Sequence, residues 1–359
     1  MATSFLKPLA LAAITALALT GCSSSTSAGT SPTNTTAATQ YVTAPLTGVK
    51  YVAGTSEATG LSRPSVACKI DNSDAARPQL GLNSTDMVFD EMVEGGLTRF
   101  VAIFQSNQPT GVGPVRSVRP MDPDILSPLG GIVCYSGGQA PITALMRATR
   151  VFNASETSEQ GQGTFTRVKD RIAPHNVIVN VSLLAQHHPE IAAPAAQFNF
   201  AQDAAHSTAA LSGSAISSLK VVYPAALAQW VPSGDGSQFL RTQDGKPLTD
   251  AADGSQVRAT NIVVMQVTVD RSFKDPKYGF VPKDVVIGSG KGWVLSSGKS
   301  IQVTWSKASQ TQSIVLTLAD GSPVQLAPGN TWVELQPIDV GKTELALAAT
   351  PTPTATPTK

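Results

Sequence analysis

Charge is scarce in this chain of 359 residues: only 14% are Asp, Glu, Lys or Arg, and 26 basic against 25 acidic residues leave a net charge of +1. An average soluble chain carries roughly 25% charged residues. The bulk attraction that drives non-specific nucleic-acid binding is therefore missing, and a DNA- or RNA-binding role is disfavoured. Cysteine is scarce too, at three residues, and the four histidines (His175, His187, His188, His206) are scattered. So few ligands give no metal-ligand spacing, and the adjacent His187 and His188 point in different directions, so neither a metal nor a cofactor is expected. The N-terminal apolar stretch, Leu9 to Leu19, is too short to span a bilayer core as a helix, which takes about 20 residues. No repeat of fixed period appears.

What is present at the N-terminus is an address. A single basic residue, Lys7, precedes the uncharged run Leu9 to Leu19, which ends in Leu19-Thr20-Gly21-Cys22. That is the layout of a cleaved secretory signal over residues 1–21. Leu-Thr-Gly-Cys resembles the bacterial lipobox, whose small residues admit a peptidase that cuts before a lipidated thiol; Cys22 would then open the mature chain. Several acyl chains, at about 0.8 kcal/mol per buried CH₂, would hold it on a membrane surface. The expected location is the extracytoplasmic face of the cell membrane, through a lipid anchor. Residues 22–47, rich in Ser, Thr and Ala, read as a flexible tether, and the Pro/Thr-rich stretch 341–359 as a disordered tail.

Between these ends the pattern is α+β. An N-terminal α/β domain with a mixed sheet is expected over 48–218, followed by a β-rich domain over 219–340. In the first part, Ser65 to Asp71 and Ile132 to Tyr135 are strand-like. Ala140 to Thr149 is a short helix, and Asn180 can cap another running to about His188. Residues 192–218 are small and form a weak helix or a connector. In the second part, short strands alternate with Asp244-Gly245, Ser297-Gly298 and Asp320-Gly321, which are hairpin signals. Cys68 and Cys134 lie in apolar runs, and a disulfide and two buried thiols both remain open.

Asp86 to Val93 and Leu97 to Phe104 bracket Glu94-Gly95-Gly96 as a hairpin. With Gly95-Gly96 as a two-residue turn, Glu91 faces Phe100 and is the only charge on the more apolar face, while Asp90, Met92 and Glu94 share the other face with Arg99.

The motifs Val66-Ala-Cys-Lys-Ile-Asp-Asn72, Arg77-Pro-Gln-Leu-Gly-Leu-Asn83, Glu91-Met-Val-Glu-Gly-Gly-Leu-Thr-Arg-Phe100 and Val112-Gly-Pro-Val-Arg-Ser-Val-Arg-Pro120 stand in this order. With Asp244-Gly-Lys-Pro247 and Pro328-Gly-Asn-Thr-Trp332 in the second half, they resemble the YerB-like lipoproteins over roughly residues 45–338. That bacterial family is defined by a domain of unknown function. The resemblance implies a two-part exported lipoprotein and no settled reaction. Leu248 stands after Gly-Lys-Pro where many relatives are expected to have His, so no role of that histidine carries over.

Three polar groups are candidates for chemistry. Glu91 and Glu94 are the catalytic candidates, because two carboxyl groups about 5 to 9.5 Å apart serve glycoside cleavage and a carboxyl on an apolar face can act as proton donor. Arg99, Arg116 and Arg119 carry forked donors suited to phosphate or carboxylate. The competing reading pairs these acids and bases with one another to hold a loop. Ser136-Gly137-Gly138 lies between a buried strand and a helix, as an anion-binding turn would, without the Gly-x-Ser-x-Gly of a nucleophile elbow. His175 could act as a base beside it. Trp230, Trp293, Trp305 and Trp332 are read as core residues rather than a sugar-stacking face. The expectation is a membrane-anchored envelope protein that recognises an anionic wall glycan, polymer or lipid-linked precursor. A hydrolase or transferase using Glu91 as acid or base is the alternative, and a scaffold for other envelope proteins a third class.

Overall fold

The computed structural model describes residues 38–275 and 279–349. The signal segment 1–21, Cys22, most of the expected tether and residues 350–359 lie outside them. Among the described residues no helix is long and apolar enough to cross a membrane.

Strands β1 (Val66–Asp71), β2 (Met87–Met92) and β3 (Thr98–Phe104) are buried at every position. They join β4 (Ile132–Tyr135) and β5 (Phe152–Ser155) in one part of the fold. The rest is β6 (Ser214–Tyr223), β7 (Ala226–Pro232), β8 (Phe239–Gln243), β9 (Asn261–Val267), β10 (Gly288–Ser296), β11 (Lys299–Lys307), β12 (Thr331–Pro337) and β13 (Lys342–Leu347). Helices α1 (Ala140–Arg147) and α2 (Val181–His187) are short, and the side chain of Asn180 caps α2 through Leu183 N–H. The architecture is α+β and dominated by sheet.

One large mixed sheet runs β8-β7-β6-β11-β10-β9-β12-β2-β3-β1-β4-β5. The 48–218 and 219–340 parts meet inside it, because β12 lies parallel to β2 on one side and to β9 on the other. Strand β6 pairs with β11 only at Ser214 and Ala215, then leaves it to pair with β7 and β13. That departure carries β7 and β8 over the face of β12 and β2, enclosing Trp230, Phe239, Phe100 and Trp332 in one core; a second core on the opposite face holds Phe89, Val101, Val133 and Leu335. Burial on both faces explains the continuous apolar runs.

Between β7, β8, β12 and β2 lies a buried ion group. Arg241 Nη1 is 2.6 Å from Glu334 Oε1 and Nη2 is 2.5 Å from Asp90 Oδ2, with all three side chains fully buried. Trp230 Nε1 donates to Glu334 Oε1 at 2.8 Å and the Tyr223 hydroxyl to Oε2 at 3.1 Å. The guanidinium carbon lies 4.8–5.1 Å from the ring centroids of Phe100, Trp230 and Trp332, a cation–π cage. The tryptophans at 230 and 332 are thus core residues.

The hairpin departs from expectation by one residue. Val93 N–H donates to Leu97 O at 2.8 Å, so the turn has three residues, Glu94-Gly95-Gly96, with Gly95 and Gly96 both left-handed. Gly96 O accepts from Ala225 N–H, and a Cβ at Gly96 would come within 2.6 Å of Pro224 Cβ. The longer turn pairs Glu91 with Arg99 and Asp90 with Phe100. A one-residue register change exchanges every facing partner, so Glu91 shares its face with Arg99 and the more apolar pairings go to Asp90.

Other ends differ too. The expected tether is already folded at Tyr41–Thr43, which pairs with Lys50–Val52, and Ala44 and Leu46 are buried. The expected tail supplies β13 at 342–347, where an alternating Lys-Thr-Glu-Leu pattern lets one side cover β6. Residues 192–213 are mostly connector, with a short helix at Thr208–Ser212. Cys68 and Cys134 are register partners on parallel β1 and β4, 4.6 Å apart at Cα, and their sulfurs are bonded.

Arg241→Met is expected to destabilise the protein by about 3–5 kcal/mol, the cost of leaving buried carboxylates uncompensated. Urea unfolding followed by tryptophan fluorescence measures it; a loss under 1 kcal/mol would remove the bridge from the account of stability.

Candidate functional site

Register brings the site together. Asp71, Arg99 and Glu91 are successive cross-strand partners on β1, β3 and β2, and Lys69 lies two residues before Asp71 on the same face. The loop 112–120 is laid against the end of β1: Asp71 N–H donates to Pro114 O at 2.9 Å and Arg116 N–H to Lys69 O at 2.7 Å. On its other side Val115 N–H donates to Val177 O at 2.8 Å. Gly113 has a positive φ, and a Cβ there would sit 2.7 Å from Val177 O, which is why glycine is required.

The result is a cleft of ≈ 600 Å³ lined by Asp71, Glu94, Arg99, Arg116, Arg119 and His175, with Gly138 and Gln139 at its edge. Arg99 is only 6% exposed. Its Nη1 donates to Ser117 O at 2.8 Å, and its Nε has no partner. Arg119 Nε donates to Glu94 Oε2 at 2.8 Å and its Nη1 to Val118 O at 2.9 Å. Arg116 Nε lies 3.4 Å from Asp71 Oδ2 without hydrogen-bond geometry and is also unpartnered. Burial first, then the nearby Arg119 and Arg116, lower the pKa of Arg99. A guanidinium nevertheless stays protonated, so the cleft carries positive potential.

Asp71 is the residue the sequence reading did not single out. Its Oδ2 is 2.6 Å from His175 Nδ1, and its Oδ1 accepts from Ser73 N–H at 3.0 Å. Burial works to raise its pKa, but the Ser73 N–H, Arg116, Arg99 and the His175 hydrogen bond outweigh it and hold the carboxyl below its ordinary value. The available signal was the alternation of Lys69 and Asp71 in an otherwise apolar strand.

Of the expected residues, Glu94, Arg99, Arg116, Arg119, Gly138 and His175 line one cleft. Ser136 and Gly137 stand behind it, where Ser136 N–H donates to Arg116 O and Gly137 O accepts from Val118 N–H; they brace the arginine loop. Glu91 does not line the cleft. It is fully buried and paired with Lys69, whose Nζ is also 2.7 Å from Asp122 Oδ1. Burial first, then Asp122, push the Glu91 carboxyl up, against the opposing pull of Lys69. Glu91 and Glu94 thus belong to different environments and do not flank a common bond.

Two models of one family match the chain: the Protein of unknown function (DUF3048) N-terminal domain over residues 46–194 and the DUF3048 C-terminal domain over 219–333. The chain is similar to the YerB protein of Bacillus subtilis (strain 168), described by its name as a lipoprotein, at 26% identity over 303 residues, covering 82% of this chain and 86% of that protein. It also resembles the crystal structure of YerB from Bacillus subtilis, with a TM-score of 0.70 and 23% identity, over 84% of this chain and 99% of the other. That likeness concerns the fold.

Asp284 completes the polar layer behind the hairpin. Beyond Asp90, β2 has no partner in β12, and Met92 N–H donates instead to Asp284 Oδ2 at 2.8 Å. Burial, only partly opposed by that N–H and reinforced by Asp90, raises Asp284 to about 8. A carboxyl whose folded pKa is raised favours the folded state where both states are protonated, and that advantage is lost as pH climbs from about 4 to about 8. Stability is therefore expected to fall over this range, and Asp284→Asn, which keeps an acceptor for Met92 N–H, to flatten the slope by up to about 1.4 kcal/mol per pH unit. Urea midpoints at pH 5, 6, 7 and 8 check this; parallel curves for parent and variant would contradict it.

Proposed function

The chain belongs to the two-domain DUF3048 family, and from that premise we propose that it is a lipid-anchored envelope lipoprotein whose arginine cleft recognises an anionic group. Its ligand is an anionic wall glycan, polymer or lipid-linked precursor on the extracytoplasmic side of the membrane. The observation that carries this reading is a cleft where three guanidiniums face two carboxylates and where Arg99 has no carboxylate at ion-pair distance among the described residues. A partly desolvated guanidinium without a counter-ion is costly, and an anion bridging the arginines offsets that cost. Forked guanidinium donors suit phosphate and carboxylate oxygens.

A second reading, an envelope hydrolase or transferase, is favoured by one observation. The Asp71–His175 hydrogen bond fixes a histidine at the cleft with Nδ1 engaged, so Nε2 is the nitrogen left to exchange a proton with a bound ligand. Proton transfer in this reading runs through His175 rather than Glu91.

Arg116→Ala is expected to abolish retention on isolated walls and lipid-linked precursors while leaving the protein folded, because its side chain is partly exposed. Unchanged retention removes the recognition reading. Glu91→Gln is expected to lower stability and leave retention intact. Mass spectrometry of the same incubations separates the classes: new fragments released by the parent and lost in His175→Gln make it an enzyme, whereas a co-purifying envelope protein with no retention on walls makes it a scaffold.

A further inference from the structure

On the other side of the same hairpin turn lies a mainly apolar groove of ≈ 220 Å³, lined by Met92, Val93, Pro224, Phe280, Pro282 and Val340, with Gly95 and Gly96 of the turn and the charged Arg271. Val93 and Glu94 line both this groove and the arginine cleft. The two are thus continuous around the turn, one offering three guanidiniums and the other mainly hydrocarbon, its one guanidinium, Arg271, being paired with Asp339 at 2.5 Å. Glu94, the carboxylate on the divide, is held by Arg119 at 2.8 Å, which neutralises the group an anion would meet there. The turn is fixed in place by Ala225 N–H donating to Gly96 O at 3.0 Å. Exposed apolar side chains extend the groove: Phe280 is 56% and Val340 44% exposed, and Leu97, 39% exposed, lines the cleft itself. Isolated exposed apolar residues need no explanation, but a groove of them joined to a cationic cleft presents the two chemistries of one amphiphile.

We propose that the ligand is a lipid phosphate, its anionic head held by Arg99 and Arg116 and the first part of its hydrocarbon chain lying over the Glu94–Gly96 turn against Val93, Phe280 and Val340. This rests on the anion-recognition reading above and narrows it to the lipid-linked class. The chain continuity argues against a free polymer: a purely hydrophilic ligand would gain nothing from the apolar side of the turn.

The test uses the chain from residue 22 onward carrying Cys22→Ser, with methyl phosphate and octyl phosphate as probes below micelle-forming concentration, measured by titration calorimetry. Octyl phosphate is expected to bind at least tenfold more tightly than methyl phosphate, the yield of about two buried methylenes. The double variant Phe280→Ser/Val340→Ser, altered at exposed positions, is expected to lose that gain while binding methyl phosphate as before, and Arg116→Ala to lose both probes. Equal affinity for the two probes overturns the amphiphile and leaves anion recognition standing. A chain-length gain that persists in the double variant overturns the assignment of the groove. If neither probe binds the parent, both readings fall together.

Discussion

The bridge from Arg241 to Asp90 and Glu334 is the constraint on which the rest of the structure depends. It takes one residue from each of β8, β2 and β12, so no segment of the chain can form it alone. Charges taken out of water require several partners each, and here the partners are drawn from both halves. Glu334 receives Arg241, Trp230 and Tyr223, while Arg241 also donates to Gln243 Oε1 at 2.8 Å. A sheet shifted by one residue, or a C-terminal half docked elsewhere, would leave these groups buried and unpaired. The bridge therefore acts on specificity of assembly as much as on stability. Asp250 makes a second tie of the same kind, accepting from Gly81 and Asn83 N–H across the halves at 2.8 and 2.7 Å.

The same register that places Asp90 on the bridge assigns Glu91 to the opposite face. Successive residues of a strand alternate between faces, so two adjacent acids meet two different buried cations: Asp90 meets Arg241, and Glu91 meets Lys69. The three-residue turn then decides what emerges beyond them. It sends Glu94 to Arg119 and leaves Arg99 beside Asp71 at the cleft. The site is the solvent end of a face whose interior is already charge-balanced.

Much of this was legible in the sequence, and the failures have physical reasons. The α+β class, strand β4, helix α2 with its Asn180 cap, and the Asp244-Gly245 and Ser297-Gly298 hairpins follow from turn and capping chemistry. The grouping of Arg99 with Arg116 and Arg119 is suggested by their places on a hairpin and on a loop bounded by Gly and Pro, with mutual pairing of acids and bases the competing reading. What could not be read was register: Gly95-Gly96 suggests a two-residue turn, and the tie that holds the three-residue one, Ala225 N–H donating to Gly96 O, comes from far away in sequence. The strand carrying Trp230 was missed because its partners, Arg241 and Glu334, come from elsewhere in the chain. Glu91 looked catalytic because an acid in an apolar pattern can be either a proton donor or half of a buried pair, and Lys69, its partner, is 22 residues away. The folded body extends into the stretches that composition marks as tether and tail, because Leu46 and Leu345 are isolated apolar residues in small, polar surroundings, whose burial depends on surfaces supplied by that body.

Arg99 and Arg241 show what separates structure from site in this protein. Both are buried guanidiniums within a largely apolar sheet. Arg241 is matched by two carboxylates and enclosed by three aromatic rings, and burial of its charge is offset inside the protein. Nε lacks an acceptor in both, but Arg99 has only a backbone carbonyl on Nη1, no carboxylate at ion-pair distance among the described residues, and two further guanidiniums close enough to oppose its charge. A fold that pairs one buried arginine with two carboxylates and gives another, at a cleft, none at ion-pair distance among the described residues supports the reading in which the second meets an anion from outside.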